Sequence, residues 1–259
     1  MKKIISIIMA AVMCVCLAGC QQEEKAAEIT VSRSFIAGYV IGGEEENTEP
    51  DASCRVLMNL MSDGTAEFYV GSIENGEYSS EQYSGTYTLG ENEEYDETIT
   101  FDYTYGETTV SVENAVIIDS IFESEFYLMG DITPSKISFY ETKPADMDGD
   151  VYVGYKTKVG GMGAMVYAYS LCLKEDSTFD VSIMQLASVM HVWGGTNGTY
   201  TADGENITFT YNILTDEGEI VSENEIANGT GYTETELSTA FNIQQATMRA
   251  TDAPFIRVK

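Results

Sequence analysis

Only one histidine, His191, and one tryptophan, Trp193, occur in this chain of 259 residues. A single histidine excludes, within one chain, any metal centre or catalytic scheme that needs two. A serine triad would have to take His191 as its base, and no Gly-x-Ser-x-Gly supplies the nucleophile. His-Glu-x-x-His, a phosphate-binding Walker loop and the dinucleotide glycine fingerprint are all missing, so no cofactor is expected. Positive charge is scarce too, with 13 basic against 42 acidic residues and a formal charge of −29. Such a field opposes nucleic acid and anionic lipid and favours cationic partners or multivalent cations. Its plainer reading is a solvated face that keeps the protein soluble. Carboxylate pairs for glycoside hydrolysis are abundant, but abundance is not placement. The chain is expected not to be an enzyme, with a carboxylate-based hydrolase as the remaining catalytic alternative.

Long apolar runs are also rare. One stretches from Ile4 to Leu17, preceded by Lys2 and Lys3 and free of acidic residues. It is too short for a mature membrane-spanning helix, and its charged start and small-residue end fit a secretion signal. Leu17-Ala18-Gly19-Cys20 closes it and resembles the lipobox of bacterial lipoproteins. The resemblance implies diacylglycerol on the Cys20 sulfur and cleavage after Gly19; the alternative is an ordinary signal peptide with a chance cysteine. Two acyl chains, at about 0.8 kcal/mol per buried methylene, hold a protein stably where one does not. Residues 1–19 are thus read as the removed signal and 20–28 as a lipidated, polar tether. Gln21 to Glu28, fully extended, would reach roughly 25–30 Å from the lipid. The expected location is the outer face of a bacterial membrane, in the cell envelope.

Loss of Lys2 and Lys3 leaves 11 basic and 42 acidic groups, a charge of −31. Residues 20–150 hold 5 basic and 29 acidic groups, and residues 151–259 hold 6 and 13. Of the five cysteines, Cys14 and Cys16 leave with the signal and Cys20 takes the lipid. Cys54 and Cys172 could form one disulfide in an exported protein. Both lie in apolar strand-like runs, which favours two buried thiols.

An internal repeat organises the remainder. Asp63-Gly64-Thr65 precedes a strand and is followed by Gly85-Thr86-Tyr87-Thr88; Asp176-Ser177-Thr178 is followed by Gly198-Thr199-Tyr200-Thr201, in both cases 113 residues later. Ile99-Thr100-Phe101 and Ile207-Thr208-Phe209 follow in turn, and Gly38-Tyr39 and Gly154-Tyr155 match upstream at a slightly different interval. Four markers in one order imply two tandem copies, residues 29–144 and 150–259, joined by a linker at 145–149. Each copy is expected to bury its own core and to fold alone.

The hydrophobic period is two: Ile207, Phe209 and Tyr211 alternate with Thr208, Thr210 and Asn212, as Ile99, Phe101 and Tyr103 do with Thr100 and Asp102. Turn pairs such as Asn75-Gly76, Tyr105-Gly106, Asp203-Gly204 and Asn228-Gly229 punctuate it. Ser182 to Met190 also fits helical spacing and could form a short helix. The fold class is all-β: two tandem antiparallel up-and-down β-barrels, with β-sandwiches as the alternative. The order Gly-aromatic, Asp-Gly-Thr, Gly-Thr-Tyr-Thr, Ile-Thr-Phe resembles lipocalin-like domains of bacterial surface lipoproteins. Where lipocalins proper open with Gly-x-Trp, this chain has Gly38-Tyr39 and Gly154-Tyr155, and barrels this small can be filled by their own side chains.

Three local features could carry chemistry. Asp146, Asp148 and Asp150 alternate like the start of a calcium loop, but an EF-hand would need glycine and glutamate where Val151 and Thr157 stand; a solvated linker is the plainer reading. Met162, Met165, Met184, Met190 and His191 offer soft ligands for Cu(I), or simply fill gaps in a core. Val189, His191 and Trp193 would share one strand face, as a ligand patch or as a structural pair. The expected function is a lipid-anchored binding protein for a small or amphipathic ligand or a partner protein. The alternative is an acidic lipoprotein that captures or inhibits cationic proteins. In cells, Cys20→Ser should release the protein from membranes or leave it unprocessed; fractionation showing a processed, still membrane-bound variant would refute the lipid anchor.

Overall fold

The computed structural model describes residues 29–41, 52–94, 97–127, 134–160, 163–187, 190–215, 219–242 and 252–259. The signal, Cys20, the tether, Met162 and Val189 lie outside them. All regular structure among the described residues is strand. The first copy forms β1 (Val31–Ile41), β2 (Ala52–Met61), β3 (Thr65–Glu74), β4 (Glu77–Gly90), β5 (Glu97–Tyr105), β6 (Thr108–Ile117), β7 (Ile121–Phe126) and β8 (Ser135–Thr142). The second forms β9 (Asp150–Gly160), β10 (Gly163–Leu173), β11 (Thr178–Ala187), β12 (Met190–Asp203), β13 (Asn206–Leu214), β14 (Ile220–Gly229), β15 (Glu236–Thr239) and β16 (Ala253–Arg257).

Two eight-stranded antiparallel sheets result, ordered β6-β5-β4-β3-β2-β1-β8-β7 and β14-β13-β12-β11-β10-β9-β16-β15. Each is a meander that curls until its last strand returns to its first, through β8 on β1 and β16 on β9. The remaining seam carries a single bridge in each, Ile118↔Ile121 and Thr230↔Ser238. The sheets are therefore barrel-like, and the up-and-down expectation holds.

The repeat markers have structural jobs. The Thr65 N–H and hydroxyl both donate to Asp63 Oδ1, at 3.0 and 2.6 Å, and Thr178 does the same to Asp176 at 3.0 and 2.5 Å. Tyr87 N–H donates to Gly64 O and its hydroxyl to Met61 O; Tyr200 repeats this on Ser177 O and Lys174 O. The long strands β4 and β12 turn the corner of each barrel, passing from pairing with β3 or β11 to pairing with β5 or β13. There the backbones crowd. A Cβ on Gly85 would lie 1.8 Å from Asp102 O, and one on Gly198 would lie 2.1 Å from Thr210 O, so only glycine fits.

One marker fails. Phe35 lies opposite Met58 and Glu141, while Tyr152 lies opposite Leu171 and Arg257. Register therefore equates Phe35 with Tyr152, and Gly38 with Tyr155 rather than with Gly154. The Gly-Tyr pairs are one residue out of step, and a one-residue slip exchanges the faces of a strand. The same register pairs Arg33 with Asp150 and Glu141 with Arg257. Arg33 grips Glu141 through two hydrogen bonds of 2.7 Å, and Arg257 grips Asp150 at 2.5 Å: one ion pair, with its charges exchanged between copies. Arg33 also reaches Glu97 on β5, at 2.5 Å, and so spans the end of the first barrel.

The expected helix at 182–190 is a strand as far as Ala187. Val181 and Ile183 point into the second barrel, while Met184 and Leu186 join a third cluster outside it. Apolar residues on both faces blurred the period of two. That third cluster lies between the barrels. Ile36, Leu57, Tyr69 and Tyr140 from the outer face of the first pack on Val151, Val153, Val166, Ala168 and Met184 of the second. The linker takes part, because Ala145 is buried and its N–H donates to Ser34 Oγ at 3.0 Å. Each barrel has its own core, yet the two share this one. Leu57→Ala, at a fully buried position, should lower unfolding free energy by about 2–5 kcal/mol. Isolated 29–144 and 150–259 should keep strand signal yet melt below the intact chain. Melts of the halves that match the intact protein would show that the interface couples nothing.

Candidate functional site

Among the described residues, aromatic side chains pack the interior of each barrel. In the first, Phe122 stacks on Phe139 at 4.8 Å and Tyr103 on Phe126 at 4.7 Å, with Phe35 edge-on to Phe122 at 5.1 Å. In the second, Phe179, Phe209 and Phe241 meet at 4.9–5.7 Å. The two plugs correspond. Just beyond Phe126, the Tyr127 N–H donates to the Tyr103 hydroxyl at 2.9 Å; just beyond Phe241, the Asn242 N–H donates to the Tyr211 hydroxyl at 3.0 Å. Sequence reading missed this pair of plugs because the flanking residues differ. A phenylalanine at comparable distance before each final strand was the available signal.

The expected site residues are dispersed. Strand register sets His191 opposite Leu186 and Trp193 opposite Met184, two residues apart on β12. Trp193 is half-buried against the shared inter-barrel cluster. Of the methionines, Met165 packs with the interior of the second barrel and Met184 with the outer cluster, so the sheet separates them. The three linker acids go separate ways. Asp146 and Asp180 flank Lys174 Nζ at 2.7 and 2.6 Å, Asp150 pairs with Arg257, and Asp146 Oδ1 accepts the Asp148 N–H at 2.9 Å. Among the described residues no three His, Cys, Asp or Glu side chains are placed to hold a metal ion. Asp146 and Asp150 are thus held by ion pairs, while Asp148 is exposed.

Cys54 and Cys172 form no disulfide, and both thiols are buried. Cys54 belongs to the interior of the first barrel and Cys172 to the cluster between barrels. Burial, with Asp146 nearby, pushes the Cys172 thiol up to about 12, so it stays protonated at neutral pH and is a poor nucleophile.

One cleft opens on the outer face of the second barrel, under the linker. It measures about 420 Å³ and is lined by Lys143, Asp146, Ser170, Asp180, Ser182 and Asn197 among others. Strands β10, β11 and β12 present Ser170, Asp180, Ser182 and Asn197 because outward positions alternate with the core, and the segment after β8 brings Lys143 and Asp146. Lys174 already occupies the two carboxylates, which leaves hydroxyl, amide and ammonium groups to face the opening. Such a surface can hold a polar molecule by hydrogen bonds. Sequence reading missed it because residues from four segments converge only in the folded chain. Comparison with protein-family models, characterised proteins and solved structures finds no match for this chain.

The Lys174 triad fixes the cleft's wall. Burial disfavours the Asp146 carboxylate, but hydrogen bonds from Lys174 and the Asp148 N–H outweigh it and hold its pKa below the ordinary value. The triad's contribution should therefore be complete above the ordinary carboxylate pKa and vanish as pH falls through the lower folded value. Lys174→Met should cost about 1 kcal/mol or less at pH 7, after solvent screening, and progressively less on acidification. Denaturant titrations of both proteins from pH 7 to pH 3 check this; a difference that does not shrink would refute it.

Proposed function

We propose that this chain is a lipid-anchored cell-envelope protein that captures a cationic partner protein through its outer surface, with Cys20 carrying the anchor. The observation that supports it most is the pairing of aromatic-packed interiors with an acidic exterior that few cations offset, Arg33 meeting Glu97 and Lys136 meeting Glu123. From Val56 to Ser135 there is no lysine, arginine or histidine, against 17 aspartates and glutamates. Along β3 to β6 many of these acids, including Glu74, Glu77, Glu81, Glu107 and Glu113, are exposed. Acids so concentrated on one rigid body attract a basic protein and raise its encounter rate, an effect screened beyond about 8 Å at physiological salt. A second reading, binding of a small polar ligand, is favoured by the cleft under the linker.

The mature chain should retain a basic lytic enzyme such as lysozyme at low salt and release it as salt rises. Replacing Glu74, Glu77, Glu81 and Glu113 by glutamine should weaken retention at least tenfold at low salt. Retention that is absent, or insensitive to both salt and these substitutions, would remove the capture reading. A small molecule found by mass spectrometry in the purified protein, and lost in Ser182→Trp, would favour the second.

A further inference from the structure

The twin barrels allow each strand to be compared with its counterpart, and β14 departs from β6. Register places Ile226 opposite Thr210, where the first barrel has Ser111 opposite Asp102. Ile226 is 61% exposed, and Ile220, opposite Leu214 on the same outer face, is 54% exposed. Val221 adds a further 39%-exposed aliphatic beside Ile220. Most strands of the molecule hide their aliphatic side chains in one of three cores, so this edge is out of character. Acids are interleaved with it: Glu219 and Glu223 are exposed, Glu225 lies opposite Tyr211 and accepts the Ser222 hydroxyl, and among the described residues none of the three is in an ion pair. From Glu175 to Met248 the sequence contains no lysine or arginine to balance them.

We infer that the outer edge of β14 is a docking surface for a basic, amphipathic segment of the partner protein. This rests on the capture reading above and gives it a contact site. Charge complementarity selects the occupant. A second copy of this chain would bring a further −31 to an already acidic edge, whereas a segment alternating lysine with aliphatic residues satisfies both features. Recognition runs through side chains more than through an added strand. Asn224 has a φ of 57°, and the register of β14 shifts around it, so the backbone presents no continuous ladder. Aliphatic contacts supply what long-range charge lacks, namely desolvated anchors that slow dissociation.

The test uses the full mature chain and a synthetic ten-residue peptide alternating lysine and valine, with binding followed by calorimetry. Ile226→Lys and Ile220→Lys, both at exposed positions, should weaken binding at least tenfold, while Ser111→Lys at the matched position of β6 should change it less than threefold. Thermal melts confirm that the variants fold. Equal weakening by all three substitutions would show that charge alone acts, which overturns the β14 site and leaves the capture reading intact. No binding of the peptide, although lysozyme is retained, would likewise overturn only this site. Loss of both would overturn the capture reading itself. Self-association of the chain through β14, abolished by Ile226→Lys, would replace the basic segment by a second copy.

Discussion

The apolar contact between the outer faces of the two barrels is the constraint on which the rest of the structure depends. A small barrel needs only its inner face to be apolar; here β1, β2, β9, β10 and β11 are apolar on both. Gly38 shows how close the contact is. A Cβ at that position would lie 2.2 Å from the ring of Tyr155 on the other barrel, so the side chain that register would place there in the twin is removed to admit its neighbour. Tyr78 adds a hydrogen bond from its hydroxyl to Arg257 O at 3.2 Å. The barrels thus form one body, and the acids of the first and the exposed edge of the second are carried in fixed relation.

Arg55 sits inside this contact, 1% exposed. Its guanidinium donates to Cys54 O at 2.9 Å and lies 5.8 Å from the centre of the Tyr155 ring. Burial lowers its pKa to about 10, and it remains charged at neutral pH. Removing a cation from water costs several kcal/mol. Carbonyls and an aromatic face offset part of that, and the strongly negative potential of the whole chain favours the charged form. Its guanidinium also reaches Tyr155 O of the other barrel at 3.4 Å, so the cation is buried by the joined arrangement.

Aromatic side chains occupy the space in which a larger barrel would hold a ligand, and the features left open to solvent lie outside: a polar cleft under the linker, an acidic face over β3 to β6, and an aliphatic edge on β14. None of these requires the barrel to open. Two copies of one fold have diverged on their outsides while their corner glycines, tyrosine brackets and phenylalanine plugs stayed alike. The charge-exchanged pair, Arg33–Glu141 against Asp150–Arg257, shows the same divergence at a site where only complementarity is constrained.

The sequence by itself determined the strand period, the two copies and their corners. Each of these is a local matter: alternation follows from the pleat, Asp63 and Asp176 bond two residues on, and Gly85 and Gly198 are dictated by backbone crowding. It also raised the right alternatives for Cys54 and Cys172. It misread Ser182 to Met190 and the Gly38-Tyr39 and Gly154-Tyr155 correspondence, for one reason. Met184 and Leu186 of the first segment and Tyr155 of the second pack on the inter-barrel face, where a residue's neighbour belongs to the other barrel and alternation no longer reports inside against outside. For the same reason Asp146, Asp148 and Asp150 read as a solvated run. Their partners, Lys174 and Arg257, stand 28 and 107 residues away from Asp146 and Asp150. Which face of each strand meets solvent, a core or the twin barrel is set by packing between distant segments, and only the tertiary structure decided it.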